Sequence, residues 1–258
     1  MTGYLRTGFL TIQSEGPSST HATDEWNSVV RAIEHALPFY ESISEIISIG
    51  LAGPLRRRAI RQLEGHRSDW ILDSGTGPGT SSRMLLEDGF ERIVGVDPSS
   101  ILLRYAKGVL APSFHPVLGV AESLPFRSNA FSGVLACFSF RDVRNKALSM
   151  EEFARVANRE GRLEIVDIGK PDGTVRRKLI ELYVTALMPI LARFLIRKRM
   201  AGNPFRMIVP TFRRLSKNRA ITRLAQREFG SSNLREFGLG GLVIIEAARA
   251  SQRGESSD

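Results

Sequence analysis

The sequence predicts an α/β fold built on a mostly parallel, twisted sheet, and three observations carry that prediction. From Trp70 onward, short apolar runs bounded by turn signals alternate with helical patterns. A glycine-rich loop follows the first run directly and opens a helix. The second run ends on an acidic residue, Asp97, 22 residues beyond the first glycine of that loop, Gly75. Parallel neighbours need long crossovers, so strand–helix alternation implies a parallel sheet.

The runs 70–73, 92–97, 116–120, 133–138 and 162–167 read as buried strands. Between them, 80–87, 99–110 and 143–158 read as crossover helices, the second with its start marked by Pro98 and Ser99. Near the end, 233–237 and 242–248 read as two further strands joined by 238–241, an antiparallel hairpin that brings the sheet to seven strands. Upstream, 29–50 and 55–64 read as helices capping the nucleotide side. The stretch 170–228 is too long for a crossover and too apolar for a linker, so it is expected to form a helical lid over the substrate. One domain over 24–250, with the lid insertion at about 172–228, is thus expected between polar, disordered tails at 1–23 and 251–258.

With 258 residues, 42% of them hydrophobic, the chain can bury one large core. Its single cysteine, Cys137, excludes an internal disulfide framework and a cysteine-rich zinc site, and its four histidines show no metal-ligand spacing, so no metal is expected. The N-terminus lacks the apolar run of a signal peptide, and 179–196, the most apolar stretch, is interrupted by Glu181, Pro189 and Arg193. A cytoplasmic protein is expected, with any membrane contact peripheral and at the inner face. The net charge of +9 is concentrated: 170–227 holds 15 basic and 2 acidic side chains, while the rest of the chain is net acidic. Such a face suits anionic headgroups or nucleic acid, but no run of interleaved aromatics offers bases a stacking platform.

The loop itself runs Asp73-Ser74-Gly75-Thr76-Gly77-Pro78-Gly79-Thr80. Glycines there let backbone approach a ligand at the carboxyl end of a strand, and a carboxylate at the end of the next strand can accept both hydroxyls of a ribose. The glycines alternate, unlike the G-x-G-x-x-G of dinucleotide enzymes. This D-x-G-x-G-x-G loop resembles the first motif of class I methyltransferases, which implies a Rossmann-like fold and S-adenosyl-L-methionine as cofactor. Further on, Ala121-Glu122-Ser123-Leu124-Pro125-Phe126, then Asn129-Ala130-Phe131, is similar to a segment of the ubiquinone/menaquinone C-methyltransferase family. The similarity continues through Phe138-Ser139-Phe140-Arg141-Asp142-Val143 to Lys170-Pro171, and upstream to Tyr40-Glu41 with Ser44, Ser48 and Gly50.

That resemblance implies methyl transfer to a ring carbon of a demethylmenaquinol-like acceptor in respiratory quinone biosynthesis. It assigns cofactor binding to Asp73, Gly75, Gly77, Pro78, Asp97, Val120, Ala121 and Cys137, and makes Arg141 and Tyr40 the catalytic candidates. Arg141 would stabilise the developing phenolate or orient a water, its own pKa being too high for a base. The sequence departs from the family pattern at Val120, Ser132, Cys137 and Asp142, where an acidic or amide residue, Asp, a small polar residue and Asn are usual. Those departures keep open another small lipid-like or secondary metabolite as acceptor. The basic segment alone would suit an RNA-binding or RNA-methylating protein.

Overall fold

The computed structural model describes residues 48–110, 112–188 and 208–249, together with Arg31, Glu34, Leu37, Ser44, Glu45 and Ile190. The expected tails and Tyr40 lie outside the described residues, as do most of the expected first helix and the middle of the expected lid.

Seven strands form one sheet in the order β3-β2-β1-β4-β5-β7-β6: β1 (Trp70–Ser74), β2 (Arg92–Asp97), β3 (Phe114–Leu118), β4 (Phe131–Cys137), β5 (Ala157–Ile168), β6 (Gly230–Phe237) and β7 (Leu242–Arg249). The first five pair in parallel, and β7 runs antiparallel between β5 and β6. The chain walks outward from β1 to β3, then returns to lay β4 beside β1. The carboxyl ends of β1 and β4 therefore flank the point where the order reverses, which is where open α/β sheets bind ligands.

On one face pack α1 (Ala52–Arg61), α2 (Thr80–Glu87) and α3 (Ser100–Leu110), whose Ala59, Ile60, Leu85 and Ala106 join Ile71, Ile93, Leu135 and Ile244 of the strands. On the other face, α4 (Lys146–Val156) and α7 (Asn218–Phe229) bring Phe153, Ile221, Ala225 and Phe229 onto Leu72, Val134, Ile165 and Ile245. Adjacent strand residues point to opposite faces, so both layers read off one alternating pattern. Two further helices, α5 (Thr174–Leu182) and α6 (Ile208–Arg214), lie at the carboxyl edge, α5 continuing into a wider π-type turn at Tyr183–Leu187.

Three sequence expectations change. The third strand starts two residues earlier, because Pro116 sits in an edge strand where its missing N–H leaves no ladder bond unmade. The fifth begins at Ala157, its first turn taken up by a register shift opposite Phe131 and Gly133. The last part of the expected lid, Asn218–Phe229, is a layer helix: its stripe of Ile221, Ala225 and Phe229, spaced four apart, lies against the sheet. Among the described residues no helix is long and apolar enough to cross a membrane.

Gly95 of β2 is fixed by packing, since a Cβ there would overlap the fully buried Phe114 ring and stand 2.8 Å from the Thr76 methyl of the glycine loop. Gly95→Ala is expected to cost about 1–3 kcal/mol through overpacking, read as a lower urea midpoint at unchanged slope. An unchanged midpoint would mean that ring and loop move aside freely.

Candidate active site

A cleft opens at the carboxyl ends of β1, β2 and β4, lined among others by Ser74, Gly75, Gly77, Asp97, Val120, Ala121, Glu122, Phe138, Ser139 and Asp142. Its floor is the turn after β1. Asp73 is buried, and its Oδ2 accepts hydrogen bonds from Thr76 Oγ1 at 2.8 Å and Ser82 Oγ at 2.6 Å. Burial raises the Asp73 carboxyl above the usual carboxylate range, a shift opposed by those two hydroxyls. Asp73 is thus the anchor of the loop rather than part of the cleft wall.

Thr76 and Gly75 donate their amides to the Val96 carbonyl, tying the loop to β2. Gly75 adopts φ +70°, and a Cβ there would run into the Ser139 side chain. That serine donates from Oγ to the Ser74 carbonyl at 2.7 Å and so clasps the ends of β1 and β4. Phe138, just before it, holds φ +57°, a left-handed conformation unusual for an aromatic residue and a sign of strain held by its surroundings. The bend turns the chain out of β4 into the cleft wall.

Asp97 closes the β2 side. Its Oδ2 accepts the Gly77 amide at 2.9 Å and its Oδ1 the Ser99 amide at 2.9 Å, and burial pushes its carboxyl up to about 6. Each oxygen retains acceptor capacity beyond that one bond. No protein atom stands within 4 Å of where a Gly77 Cβ would be. A loop with backbone exposed and space left above it, beside a carboxylate with spare acceptors, fits the nucleoside part of a cofactor.

The acceptor side is charged. Asp142 lines the cleft, and burial pushes its carboxyl up to about 6 although Arg141, Lys146 and Thr211 favour the ionised form. Arg141 does not line the cleft. Its Nη1 donates to Asp167 Oδ1 at 2.8 Å and to the Phe138 carbonyl at 2.7 Å, while Nη2 lies 3.2 Å from Asp142 Oδ2. Arg141 therefore bridges two carboxylates behind the wall, and direct contact with an acceptor oxygen is not what this geometry offers.

Cys137 is also displaced from its expected place at the cofactor edge. It faces α1 with Leu135, because strand neighbours alternate sides, and burial pushes its thiol up to about 12. Pro78 falls outside the cleft wall as well. Gly75, Gly77, Asp97, Val120 and Ala121 all line the one cleft. Sequence reasoning passed over Ser139, Phe138 and Glu122, whose Oε1 accepts the Arg144 and Asn145 amides at 2.6 and 3.1 Å and so positions the turn after Asp142. All three sit in the motif segments, where residues with side chains in the wall and residues that brace it look alike. Ser132 lies buried at the opposite end of β4, accepting from Asn158 Nδ2 at 2.8 Å. Its departure from the family pattern does not touch the cleft.

A methyltransferase domain model matches residues 72–165, the stretch that builds this cleft. The chain is a class I S-adenosylmethionine-dependent methyltransferase. This methyltransferase is 28% identical over 187 residues to the demethylmenaquinone methyltransferase of Chlorobaculum tepidum, covering 71% of this chain and 77% of that one. It is 24% identical over 176 residues to the ubiquinone/menaquinone biosynthesis C-methyltransferase of Geotalea uraniireducens, covering 66% and 75%. A solved S-adenosylmethionine-dependent methyltransferase of Thermotoga maritima superposes with a TM-score of 0.56 at 14% identity over 86% of this chain and all of that one, a likeness of fold.

The Arg141 side chain is 12% exposed, Asp167 5% and Asp142 15%. Removing the cation leaves two enclosed carboxylates facing each other. Arg141→Ala is expected to cost about 3–5 kcal/mol of folding stability, measured by chemical denaturation. A loss below about 1 kcal/mol, the range of exposed pairs, would show the bridge to be solvated.

Proposed function

We propose that this methyltransferase transfers a methyl group to a ring carbon of a reduced, demethylated quinol, with Asp142 as the proton acceptor. The observation that carries the reading is one cleft holding two differently employed carboxylates: Asp97, hydrogen-bonded at the glycine loop, and Asp142, enclosed on the acceptor side. The similarity to menaquinone and ubiquinone methyltransferases supports the quinol as acceptor.

In this reading the bound cofactor supplies an electrophilic methyl on sulfur. Gly75 and Gly77 let backbone approach it, Asp97 accepts the ribose hydroxyls, and Val120 and Ala121 border the base, where only main-chain groups and apolar surface are offered. In-line transfer needs alignment and dryness more than a covalent intermediate. A quinol ring carbon becomes nucleophilic as its hydroxyl loses a proton, which Asp142 would take; the carbon–methyl bond would form as the methyl–sulfur bond breaks, and the methylated carbon would then lose its own hydrogen as a proton to restore the aromatic ring. A carboxyl near 6 is ionised at neutral pH yet basic enough to share that proton in the transition state. Arg141 then acts through Asp142: it fixes the carboxylate and keeps it charged. Tyr40 keeps its proposed role of orienting the quinol on the strength of the motif alone.

The second proposed element is peripheral contact with an anionic membrane. On α5, Val175, Leu179 and Leu182 are exposed beside Arg176, Arg177 and Lys178. Apolar side chains flanked by cations suit the headgroup boundary of a bilayer that carries an isoprenoid acceptor. Other lipid-like acceptors would use the same surface, and Asp142 in place of the family's Asn is the residue that keeps that alternative open.

Labelled S-adenosylmethionine incubated with reduced demethylmenaquinone should yield labelled menaquinone. Label appearing only in a mixed lipid extract would discard the quinol. At saturating cofactor, the rate should fall as pH drops below about 6, because Asp142 must be ionised to accept a proton. Asp142→Asn should lose that limb and about 10²–10⁴ in kcat. A variant with unchanged kcat would remove Asp142 from the chemistry.

Flotation with vesicles tests the surface separately. Binding should be stronger to anionic than to neutral vesicles and should weaken with salt. Equal partitioning onto both would eliminate the electrostatic contact.

A further inference from the structure

Backbone strain marks a second place on the carboxyl edge of the sheet. Three bulky apolar residues among the described ones hold a left-handed backbone, a costly conformation that tends to persist at active sites and ligand clamps. Phe138 stands in the cofactor cleft. The other two, Ile49 at φ +54° and Leu239 at φ +59°, stand together in the wall of a separate groove. Its floor is buried and apolar, made by Ile168 at the end of β5, Leu242 at the start of β7, and Ile180 and Val184 from α5 and its π-type turn.

The rim is apolar and uncovered. Ile49 is 73% exposed and Leu239 59%, with Leu51 and Leu179 exposed beside them. Among the lining residues only Ser48 and Tyr183 bring a polar side-chain atom, and the Ser48 hydroxyl is taken, accepting the Ala52 amide at 2.8 Å and donating to the Glu45 carbonyl at 3.3 Å. The wall therefore offers a ligand hydrocarbon contact and little else. Strain at Ile49 and Leu239 is not offset by burying their side chains in the fold, which suits residues whose partner arrives from outside.

Two placements say what that partner is. Asp167, one residue before Ile168 of the groove floor, holds Arg141, whose neighbour Asp142 lines the cleft, so the groove adjoins the bridge behind the acceptor side. Leu179 belongs both to the groove and to the exposed apolar face of α5, beside Arg176, Arg177 and Lys178. An occupant that reaches the cleft and comes from a bilayer is a chain attached to the methyl acceptor. We propose that this groove binds the acceptor's apolar tail, drawn from the membrane past α5, while the ring lies in the cleft. The proposal rests on the reading of the acceptor as a tailed, membrane-borne quinol, and it names the subsite that would select for the tail.

Asparagine adopts the left-handed backbone more readily than isoleucine or leucine, so the double variant Ile49→Asn with Leu239→Asn removes the apolar rim while easing the strain. Equilibrium dialysis without vesicles, using labelled farnesol as a short isoprenoid chain, should show saturable binding to wild type and binding weaker by about 10- to 100-fold in the double variant, the scale of two lost apolar contacts. Leu179→Asp, at the groove mouth, should weaken farnesol likewise. S-adenosylhomocysteine binding should be unchanged in both, and the double variant should melt no lower than wild type. With a short-tailed demethylmenaquinol the loss should appear in KM rather than kcat. No saturable farnesol binding to wild type, equal binding by wild type and both variants, or a double variant that melts well below wild type would each overturn the proposal. Farnesol binding is read without methyl transfer: a wild-type protein that binds farnesol in the groove but methylates no quinol would remove the quinol and keep the tail site, whereas quinol methylation without farnesol binding would remove the tail site alone.

Discussion

The cleft depends on one buried carboxylate that never reaches it. Asp73 gathers the hydroxyls of Thr76 and Ser82, one from the turn and one from the first helical turn of α2, and so sets the path of the chain between them. With that path fixed, the Gly75 and Thr76 amides meet the Val96 carbonyl and the Gly77 amide meets Asp97. The loop is then tied to two strands at once, and its glycines present backbone instead of side chains to the cleft. A glycine-rich segment without such a tether would keep the conformational freedom that glycine confers and would order only on binding.

Much of the architecture was readable because it follows from periodicities that tertiary context cannot easily override. Strand residues alternating between Ile71, Ile93 and Leu135 on one face and Leu72, Val94 and Val134 on the other demand helices on both faces, and the crossover lengths demand a parallel sheet. The third strand, expected from Pro116 on, takes in Phe114 and His115 as well: a proline is tolerated inside a strand at a sheet edge, and edge position is a property of strand order rather than of local sequence. The lid expectation over-reached for the same kind of reason. Asn218–Phe229 has the apolar stripe of a layer helix, but whether that stripe meets the sheet or the substrate depends on where β6 and β7 fall.

At the cleft, backbone-defined residues were legible and side-chain-defined ones were not. Gly75, Gly77 and Asp97 are fixed by loop geometry and a strand end, which the motif spacing encodes, and Val120 and Ala121, assigned through the resemblance, line the same cleft. Cys137 and Arg141 belong to the same motif segments, yet their side chains leave the cleft for opposite reasons. Cys137 follows the strict alternation of β4 into the α1 layer. Arg141 lies beyond the strand, where partners decide its direction, and Asp167 on β5 supplies a nearer and better enclosed carboxylate than any acceptor oxygen would. A sequence names an arginine without naming the acid 26 positions later that will hold it.

That bridge also bears on Asp142, one of the two departures from the family pattern in the cleft wall, the other being Val120. An aspartate at position 142, with Asp167 nearby, would be expelled by burial and like-charge repulsion if nothing opposed them. Arg141 sits between the two acids, and Lys146, its own ammonium disfavoured by burial, adds a second cation while donating to the Arg141 and Val143 carbonyls. The balance leaves Asp142 near 6 rather than fully neutral or strongly acidic. An asparagine in that position could orient a hydroxyl but could not take its proton. In the chemistry proposed for this cleft, the exchange of amide for acid is therefore a change of role made tolerable by Arg141 and Lys146, which explains why the arginine of the motif is retained even though it faces away from the acceptor.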